Sequence, residues 1–204
     1  PVVLRARAVF PVDRPPIENG CVTIVGDRIA AVGPAHSADG PLTDLGDVAL
    51  LPGLVNAHTH LEFSHCERPL GEPGMPFTDW IRTAIAERAR QKSAKPAIAA
   101  GIAECHAAGV TTMGEIVTAV ASAYRIDAPP VADASGSPVG PPLATRQLPP
   151  HNIHFLEVIG FSRARAESAL AATRRRLDDW PAGARLGISP HAPYTVSPQL
   201  LESL

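Results

Sequence analysis

Short apolar runs that alternate with polar positions characterise the first 49 residues of the chain. Val2–Phe10 alternates as a β-strand does, and two further β runs, Cys21–Val25 and Arg28–Gly33, are separated by a Gly-Asp pair. Two such runs joined by Gly-Asp are typical of a β-hairpin. The pattern therefore predicts a small β unit over residues 1–49.

From Val48 onwards the pattern changes to apolar strands that alternate with helices. The predicted strands are Val48–His60, Val110–Val117, Asn152–Gly160 and Ala184–Ser189. The predicted helices are Phe77–Lys92, Ala97–Ala108 and Arg163–Trp180. Thr78 and Ser162 are the expected N-caps of the first and third helices, and Gly109 is expected to end the second. Alternating strands and helices predict an α/β fold with a parallel sheet.

Two segments depart from this pattern. Asp127–Pro150 is rich in proline and has no apolar periodicity, so it is expected to form a long surface loop or insertion. Ser197–Leu204 resembles the opening turns of a helix, with Ser197 as N-cap and Pro198 at the first helical position. Because a natural domain rarely ends two turns into a helix, we expect the chain to be part of a longer protein.

Composition narrows the class of partner. Hydrophobic residues make up 45% of the chain and charged residues 19%, and the net charge is −2. This balance is typical of a soluble globular protein and favours a small-molecule substrate over nucleic acid or a membrane surface. Three scattered cysteines without a CxxC pattern, and no signal peptide, predict a cytoplasmic location. The sequence leaves open whether the full-length protein forms a homo-oligomer.

The chemistry is concentrated in the run Leu51–Glu62. Side chains alternate along a strand, so Asn56, His58 and His60 should share a face. Two imidazoles at this spacing can reach a single cation, and nitrogen ligands suit zinc, with iron and nickel also compatible. A His-x-His pair alone is a weak signal, and the alternative is a polar strand end satisfied by backbone.

The residues Pro-Gly-Leu-Val-Asn-Ala-His-Thr-His over 52–60 resemble the first-strand signature of the amidohydrolase superfamily. The resemblance implies that His58 and His60 are metal ligands at the mouth of a (β/α)₈ TIM-type barrel. It also implies that residues 1–49 are the N-terminal part of a small β-sandwich domain. Residues 50–204 would then be the first four β/α units of the barrel, with 127–150 inserted.

A second motif, Ser189–Ser197 with the letters SPHAPYTVS, resembles the fourth-strand segment of the aminohydrolase branch. This branch contains deaminases of adenosine and S-adenosylhomocysteine and chlorohydrolases of triazines. The resemblance implies that His191 is catalytic and contacts the substrate without binding metal. It also places Trp80 at a position that often lines the substrate cleft, although a helical tryptophan more commonly packs in the core.

Other polar residues have weaker expectations. Glu157 on the third strand is expected to bind substrate at the barrel mouth, with metal ligation or simple hydrogen bonding as alternatives. Glu62 and Asn56 are candidates for orienting the ligands. Four further histidines are expected to be solvated, namely His36, His65, His106 and His151.

Together these features predict a metal-dependent hydrolase of non-peptide carbon–nitrogen bonds that deaminates an aminated purine nucleoside or related heterocycle. One divalent metal is expected, zinc first and iron second, with further ligands and a general base supplied by later strands. The alternatives are a two-metal cyclic amide hydrolase and a triazine-type chlorohydrolase. The fourth strand offers no Lys or Glu to bridge two metals. The non-enzyme alternative is an inactive truncated product, and residues 1–204 alone are expected to be inactive.

Overall fold

The structure, a computed structural model, describes four stretches of the chain: residues 1–35, 40–118, 151–180 and 184–204. The predicted insertion at 127–150 and His36 lie outside the described residues. The chain divides into two compact units, Pro1–Gly53 and Leu54–Leu204. The domain boundary expected between residues 49 and 50 stays a prediction.

The first unit contains one five-stranded sheet. Its strands are β1 Val2–Val9, β2 Ile17–Val25, β3 Arg28–Pro34, β4 Leu42–Asp44 and β5 Ala49–Leu50. The order is β3-β2-β1-β4, and β5 also pairs with β1. The predicted hairpin is confirmed, because β2 and β3 are antiparallel and Gly26 adopts a φ of 63° in the turn between them. Ala6, Val9 and Val22 form the buried centre of this unit.

The second unit is built on a four-stranded parallel sheet. Its strands are β6 Leu54–Thr59, β7 Val110–Val117, β8 His151–Val158 and β9 Arg185–Pro190, in that order across the sheet. The predicted parallel α/β arrangement is therefore confirmed for the described residues.

The prediction of one buried strand over Val48–His60 is wrong. The segment forms two strands, β5 in the first unit and β6 in the second, separated by three residues. Leu54 and Val55 are 55% and 65% exposed. Strand β6 lies at the edge of its sheet and has β7 as its one described neighbour, so its apolar side chains are only partly covered.

Within the described part of this unit, four α-helices accompany the sheet: α1 Phe77–Arg90, α2 Lys95–Ala107, α3 Arg163–Asp178 and α4 Pro198–Ser203. The N-caps Ser162 and Ser197 are confirmed, since their hydroxyls accept from the backbone N–H groups three residues later. Gly109, with a φ of 82°, follows the end of α2 as predicted. The N-cap prediction for Thr78 is wrong, because extended Pro76 occupies that position and α1 begins at Phe77.

Separate apolar clusters join the helices to the sheet. Leu61, Ile98 and Met113 tie α2 to the strands, while Val158 and Leu200 belong to a cluster around α3 and α4. None of the described helices is both long and apolar enough to cross a lipid bilayer. All four strands run in the same direction, so their carboxyl ends lie along one edge of the sheet. The polar residues that follow β6 and β9 therefore emerge on the same side.

Candidate metal and substrate site

His58 and His60 lie side by side at the carboxyl end of β6. Their ring centroids are 5.4 Å apart with the planes inclined at 67°. Two imidazoles bound to one tetrahedral cation through bonds of about 2.0–2.1 Å would have centroids about 5 Å apart. The observed spacing is therefore compatible with a shared divalent cation.

His60 is in the protonation state that metal binding requires. Burial lowers the pKa of His60 below its usual value, and the negative charges of Glu157 and Glu62 only partly oppose this effect. The imidazole is therefore neutral at pH 7. Its Nδ1 atom is buried and has no hydrogen-bond partner among the described residues, with the nearest carboxylate oxygen, Oε1 of Glu62, 4.0 Å away. A buried nitrogen without a hydrogen-bond partner is compatible with a site that binds an ion or a polar ligand.

Glu62 is held rigidly behind His60. It is only 1% exposed. Its Oε1 accepts from Nε of Arg88 at 2.9 Å and lies 2.8 Å from Nη2 of the same side chain, and its Oε2 accepts from the hydroxyl of Thr118 at 2.6 Å. A buried carboxylate needs such partners, because an unpaired charge away from water is costly. Arg88 and Thr118 thus fix the carboxylate that lies closest to Nδ1 of His60.

A second buried carboxylate supports the same turn. Glu115 on β7 is fully buried, and its two carboxylate oxygens accept from the backbone N–H of Leu61 at 3.2 and 3.0 Å. Asn56 makes a further contact, since its side-chain oxygen accepts from the backbone N–H of His58 at 3.3 Å. The backbone next to both histidines is thereby hydrogen-bonded to side chains of the second unit.

A cavity of about 890 Å³ opens at this edge of the second unit. His60, Glu157 and His191 all line it, each at the carboxyl end of a different strand. Six of the lining residues contribute large apolar side chains, namely Phe63, Leu70, Trp80, Ile81, Ile85 and Ile159. A pocket that combines apolar walls with a few convergent polar groups is typical of a small-molecule site. His58 is not among the residues that line this cavity.

His191 is hydrogen-bonded to Thr195. Its Nδ1 lies 2.9 Å from Oγ1 of Thr195, and the Thr195 hydroxyl donates to the carbonyl of Ala192 at 3.0 Å. If the hydroxyl donates to this carbonyl, its single hydrogen is used, and Oγ1 accepts from an Nδ1–H group of His191. In that tautomer Nε2 is a hydrogen-bond acceptor.

Trp80 and Glu157 both line the cavity. Trp80 is 39% exposed rather than packed in the core, and its ring stacks on Phe77 with centroids 6.0 Å apart. Glu157, the penultimate residue of β8, is close enough to His60 to raise its pKa through charge. The structure thus brings four of the five residues predicted for the site to one cavity, and His58 next to it.

Sequence reasoning missed two of the groups that shape the site. Arg88 and Thr118 are 26 and 56 residues from Glu62 and follow no motif, so only the folded chain reveals them. His65 was expected to be solvated, and its side chain is 32% exposed, while its ring nitrogens also lie 3.0 Å from the carbonyl oxygen of Glu62 and from a carboxylate oxygen of Glu87. Glu87 had no signal in the sequence beyond its place on a helix.

Four parallel strands with two adjacent histidines at the carboxyl end of the first are the arrangement expected for the first half of the predicted barrel, and the comparison with known families agrees. Residues 49–204 match the model of the Amidohydrolase family, and the chain belongs to that family. The predicted fold, the first half of a (β/α)₈ barrel preceded by a small β unit, is confirmed.

Three similar proteins illustrate the relationship. Aminodeoxyfutalosine deaminase of Deinococcus radiodurans is 30% identical over 91% of this chain and 41% of its own length. A 5-methylthioadenosine/S-adenosylhomocysteine deaminase of Nitratidesulfovibrio vulgaris is 28% identical over 98% of this chain and 44% of its own. The crystal structure of Helicobacter pylori aminofutalosine deaminase with methylthio-coformycin matches with a TM-score of 0.70 and 20% identity, covering 100% of this chain and 47% of that one. The chain therefore spans less than half the length of these relatives.

Proposed function

We propose that the protein is a metal-dependent aminohydrolase that replaces the exocyclic amino group of a purine nucleoside, or of a related heterocycle, with oxygen from water. The observation that carries this proposal is the shared cavity of His60, Glu157 and His191, whose lining also contains aromatic and aliphatic side chains. The polar residues provide hydrogen-bonding groups for a ring with several nitrogens. The apolar residues provide surface for the flat face of such a ring.

The metal of this proposal is a single divalent cation, with zinc as the first candidate. His58 and His60 would hold it, since neutral imidazole nitrogens are ligands that zinc prefers. A cation bound there would lower the pKa of water toward 7 and so supply the nucleophile. The substrate carbon that bears the amino group would lie beside His60, and ammonia would be the leaving group.

The side chains of this chain orient the substrate. With Nδ1–H donating to Thr195, Nε2 of His191 would accept a hydrogen bond from a ring N–H of the substrate. The Glu157 carboxylate can accept a second hydrogen bond from a substrate N–H or hydroxyl group. Trp80 and Ile159 would enclose the apolar portion and exclude water from it.

The comparisons support deamination as the chemistry. Both curated relatives are named as deaminases, one of aminodeoxyfutalosine and the other of 5-methylthioadenosine and S-adenosylhomocysteine. Each of these names describes a purine nucleoside or a close analogue with an amino group to lose. The substrate class proposed here is therefore the one that these names share.

The experiment is a substrate screen with the full-length protein, loaded with zinc, in which release of ammonia is measured. We expect ammonia from at least one adenosine-like compound in a panel of 5′-substituted aminopurine nucleosides. Amide hydrolysis or chloride release without ammonia would contradict the proposal and favour a cyclic amide hydrolase or a chlorohydrolase.

His191 provides the most direct residue-level test of the same proposal. We expect His191→Ala to lower kcat/KM for the substrate found in the screen by about 100-fold, because a positioned hydrogen bond to the reacting ring is lost. Metal content should stay at the wild-type level, since His191 is placed on the substrate. His106→Ala, a change at the end of α2, is the matched control. Loss of metal from the His191 variant would contradict its assignment as a substrate residue.

A further inference from the structure

A second group of metal-ligating side chains connects the loop after β6 to helix α1. His65, Cys66 and Glu87 each offer one ligand atom, and these atoms all lie within 4.8 Å of one another. Nε2 of His65 is 3.0 Å from Oε1 of Glu87 and 3.6 Å from Sγ of Cys66. In a tetrahedral zinc site, neighbouring donor atoms are about 3.3–3.8 Å apart. The two separations from Nε2 of His65 therefore agree with this spacing within a few tenths of an ångström, and the ligand atoms of Cys66 and Glu87 lie within 4.8 Å of each other.

The orientation of His65 suits a ligand. Its Nδ1 lies 3.0 Å from the backbone carbonyl oxygen of Glu62, which can only accept, so an Nδ1–H group can donate there. That tautomer leaves the lone pair of Nε2 pointing toward Glu87 and Cys66. Histidines that bind metals commonly donate their second N–H to a backbone carbonyl in this way. In the other tautomer, Nδ1 accepts from Nε2 of Gln91 at 3.2 Å and the Nε2–H of His65 donates to Glu87.

Glu87 is also held in a useful orientation. Its Oε2 accepts from Nη1 of Arg90 at 3.0 Å, which turns Oε1 toward His65. The side chains of His65 and Glu87 are 32% and 21% exposed, so water can reach the cluster as a fourth ligand. The three donors come from two elements, and a cation would cross-link them.

We propose that His65, Cys66 and Glu87 form an auxiliary metal site for a thiophilic divalent cation of the zinc type. A thiolate combined with an imidazole selects zinc-like cations over magnesium and calcium, which prefer oxygen ligands. Cys66 also lines the large cavity, so the bound cation would fix one wall of that cavity to α1. This site is separate from the His58–His60 pair and does not depend on the proposed function.

Cobalt binding to the full-length, metal-free protein tests the proposal. A cobalt ion bound to a thiolate gives a charge-transfer absorption band in the near ultraviolet, and the described His58–His60 site contains no thiolate. We expect the band in the wild type and in His60→Ala, and we expect zinc, but not magnesium, to remove it by displacing cobalt. Cys66→Ser should abolish the band, while Cys105→Ser, a change of a thiol on α2, should retain it.

Glu87→Gln provides a second test that keeps Cys66 in place. The amide is a poor ligand, so we expect cobalt to bind at least about 10-fold more weakly with the band still detectable at high cobalt concentration. Thermal denaturation of both variants confirms that they fold. Absence of the band in the wild type, its persistence in Cys66→Ser, or unchanged cobalt affinity in Glu87→Gln would each overturn the site and leave an ordinary hydrogen-bonded His–Glu pair.

Discussion

At the scale of single residues, the buried pair of Glu62 and Arg88 matters most for the geometry behind His60. The side chain of Glu62 is 2% exposed and that of Arg88 is 38% exposed, and Nε and Nη2 of Arg88 both contact Oε1 of Glu62. Removing the Arg88 guanidinium would leave the buried Glu62 carboxylate with the Thr118 hydroxyl as its one remaining described side-chain donor. Removing one partner of a buried ion pair lowers the stability of the fold more than replacing both partners does.

We therefore expect Arg88→Met to lower the free energy of unfolding by about 2–3 kcal/mol, below the full cost of breaking a buried pair because Arg88 is partly exposed. The double variant Arg88→Met with Glu62→Gln should recover part of this loss, since the neutral amide can keep the Thr118 contact. Arg82→Met on the same helix, whose side chain is 76% exposed, is the control and should have little effect. Equal stability of Arg88→Met and Arg82→Met in chemical denaturation would contradict this account.

Much of the candidate site could be predicted because its residues lie in local motifs. The spacing of His58 and His60 and the position of His191 between two prolines are visible in the sequence alone. The partners of Glu62 could not be predicted in the same way. They come from α1 and from the residue after β7, and only the packing of these elements brings them to one carboxylate.

At the scale of elements, the contact of β6 with β7 depends on one glycine. The register between these strands shifts between Asn56 and Thr59, which is a bulge in the segment that carries His58. Gly114 of β7 lies opposite it, and a Cβ atom there would be 2.3 Å from the carbonyl oxygen of Ala57. Because the obstacle is backbone, a side chain at 114 can be accommodated only if β6 moves.

We expect Gly114→Ala to destabilise the protein by about 1–3 kcal/mol, the range for overpacking a close contact. It should also weaken metal binding, because the displaced segment holds His58. Thr111→Ala, at an exposed position of the same strand, is the control. Chelator competition for zinc and thermal denaturation measure the two effects, and a Gly114→Ala variant with wild-type zinc affinity would show that the bulge does not position the ligand.

His154 links strand β8 to the end of α3 and gives this packing a pH dependence. Its ring lies 5.2 Å from that of Trp180, and burial lowers the pKa of His154 below its usual value, against a hydrogen bond with the Arg185 backbone. On acidification, His154 therefore binds a proton near pH 6.5 in the unfolded chain but only at a lower pH in the native state. This contribution to stability is complete above pH 6.5 and is lost as pH falls toward the lower native pKa.

Replacing His154 by Phe should retain the ring contact with Trp180 and remove the titration. We expect the stability of the metal-free variant to fall less steeply between pH 6.5 and 5 than that of the wild type, by at most about 1.4 kcal/mol per pH unit for one proton. Urea denaturation across this range measures the slopes, which should coincide between pH 7.5 and 8.5. Identical slopes at acidic pH would contradict the role given to His154.

Element boundaries were predictable to within a few residues where a clear chemical signal exists. Ser162, Ser197 and Gly109 mark helix ends with a hydrogen-bonding hydroxyl or a left-handed backbone, and the structure agrees. Thr78 was a misleading signal, because the extended residue Pro76 occupies the N-cap position and the helix begins at Phe77. The split of Val48–His60 into two strands was also hidden, since an apolar run does not show where the chain passes from one sheet to another.

At the scale of the whole molecule, the sheet of the second unit has two edges among its described strands, β6 and β9. Apolar side chains are exposed on this unit, including Leu54, Val55 and Phe161 at 55%, 65% and 64%. The amidohydrolase relatives are more than twice as long as this chain, and the (β/α)₈ fold to which it belongs is a closed barrel. A polypeptide of residues 1–204 alone has open edges that favour strand pairing between molecules.

We therefore expect residues 1–204, expressed alone, to self-associate or precipitate, and we place the main contact at β6. Val55→Lys should shift the polypeptide toward monomer, because a lysine on an edge strand opposes pairing with a second copy. Val12→Lys is the matched control: it replaces a valine that is 80% exposed but lies outside any described strand, so it adds the same charge elsewhere. Sedimentation velocity at several concentrations distinguishes the three polypeptides. A wild-type polypeptide that is monomeric throughout would show that the open edges are protected, while equal effects of the two lysines would mean that net charge, and not the edge of β6, controls association.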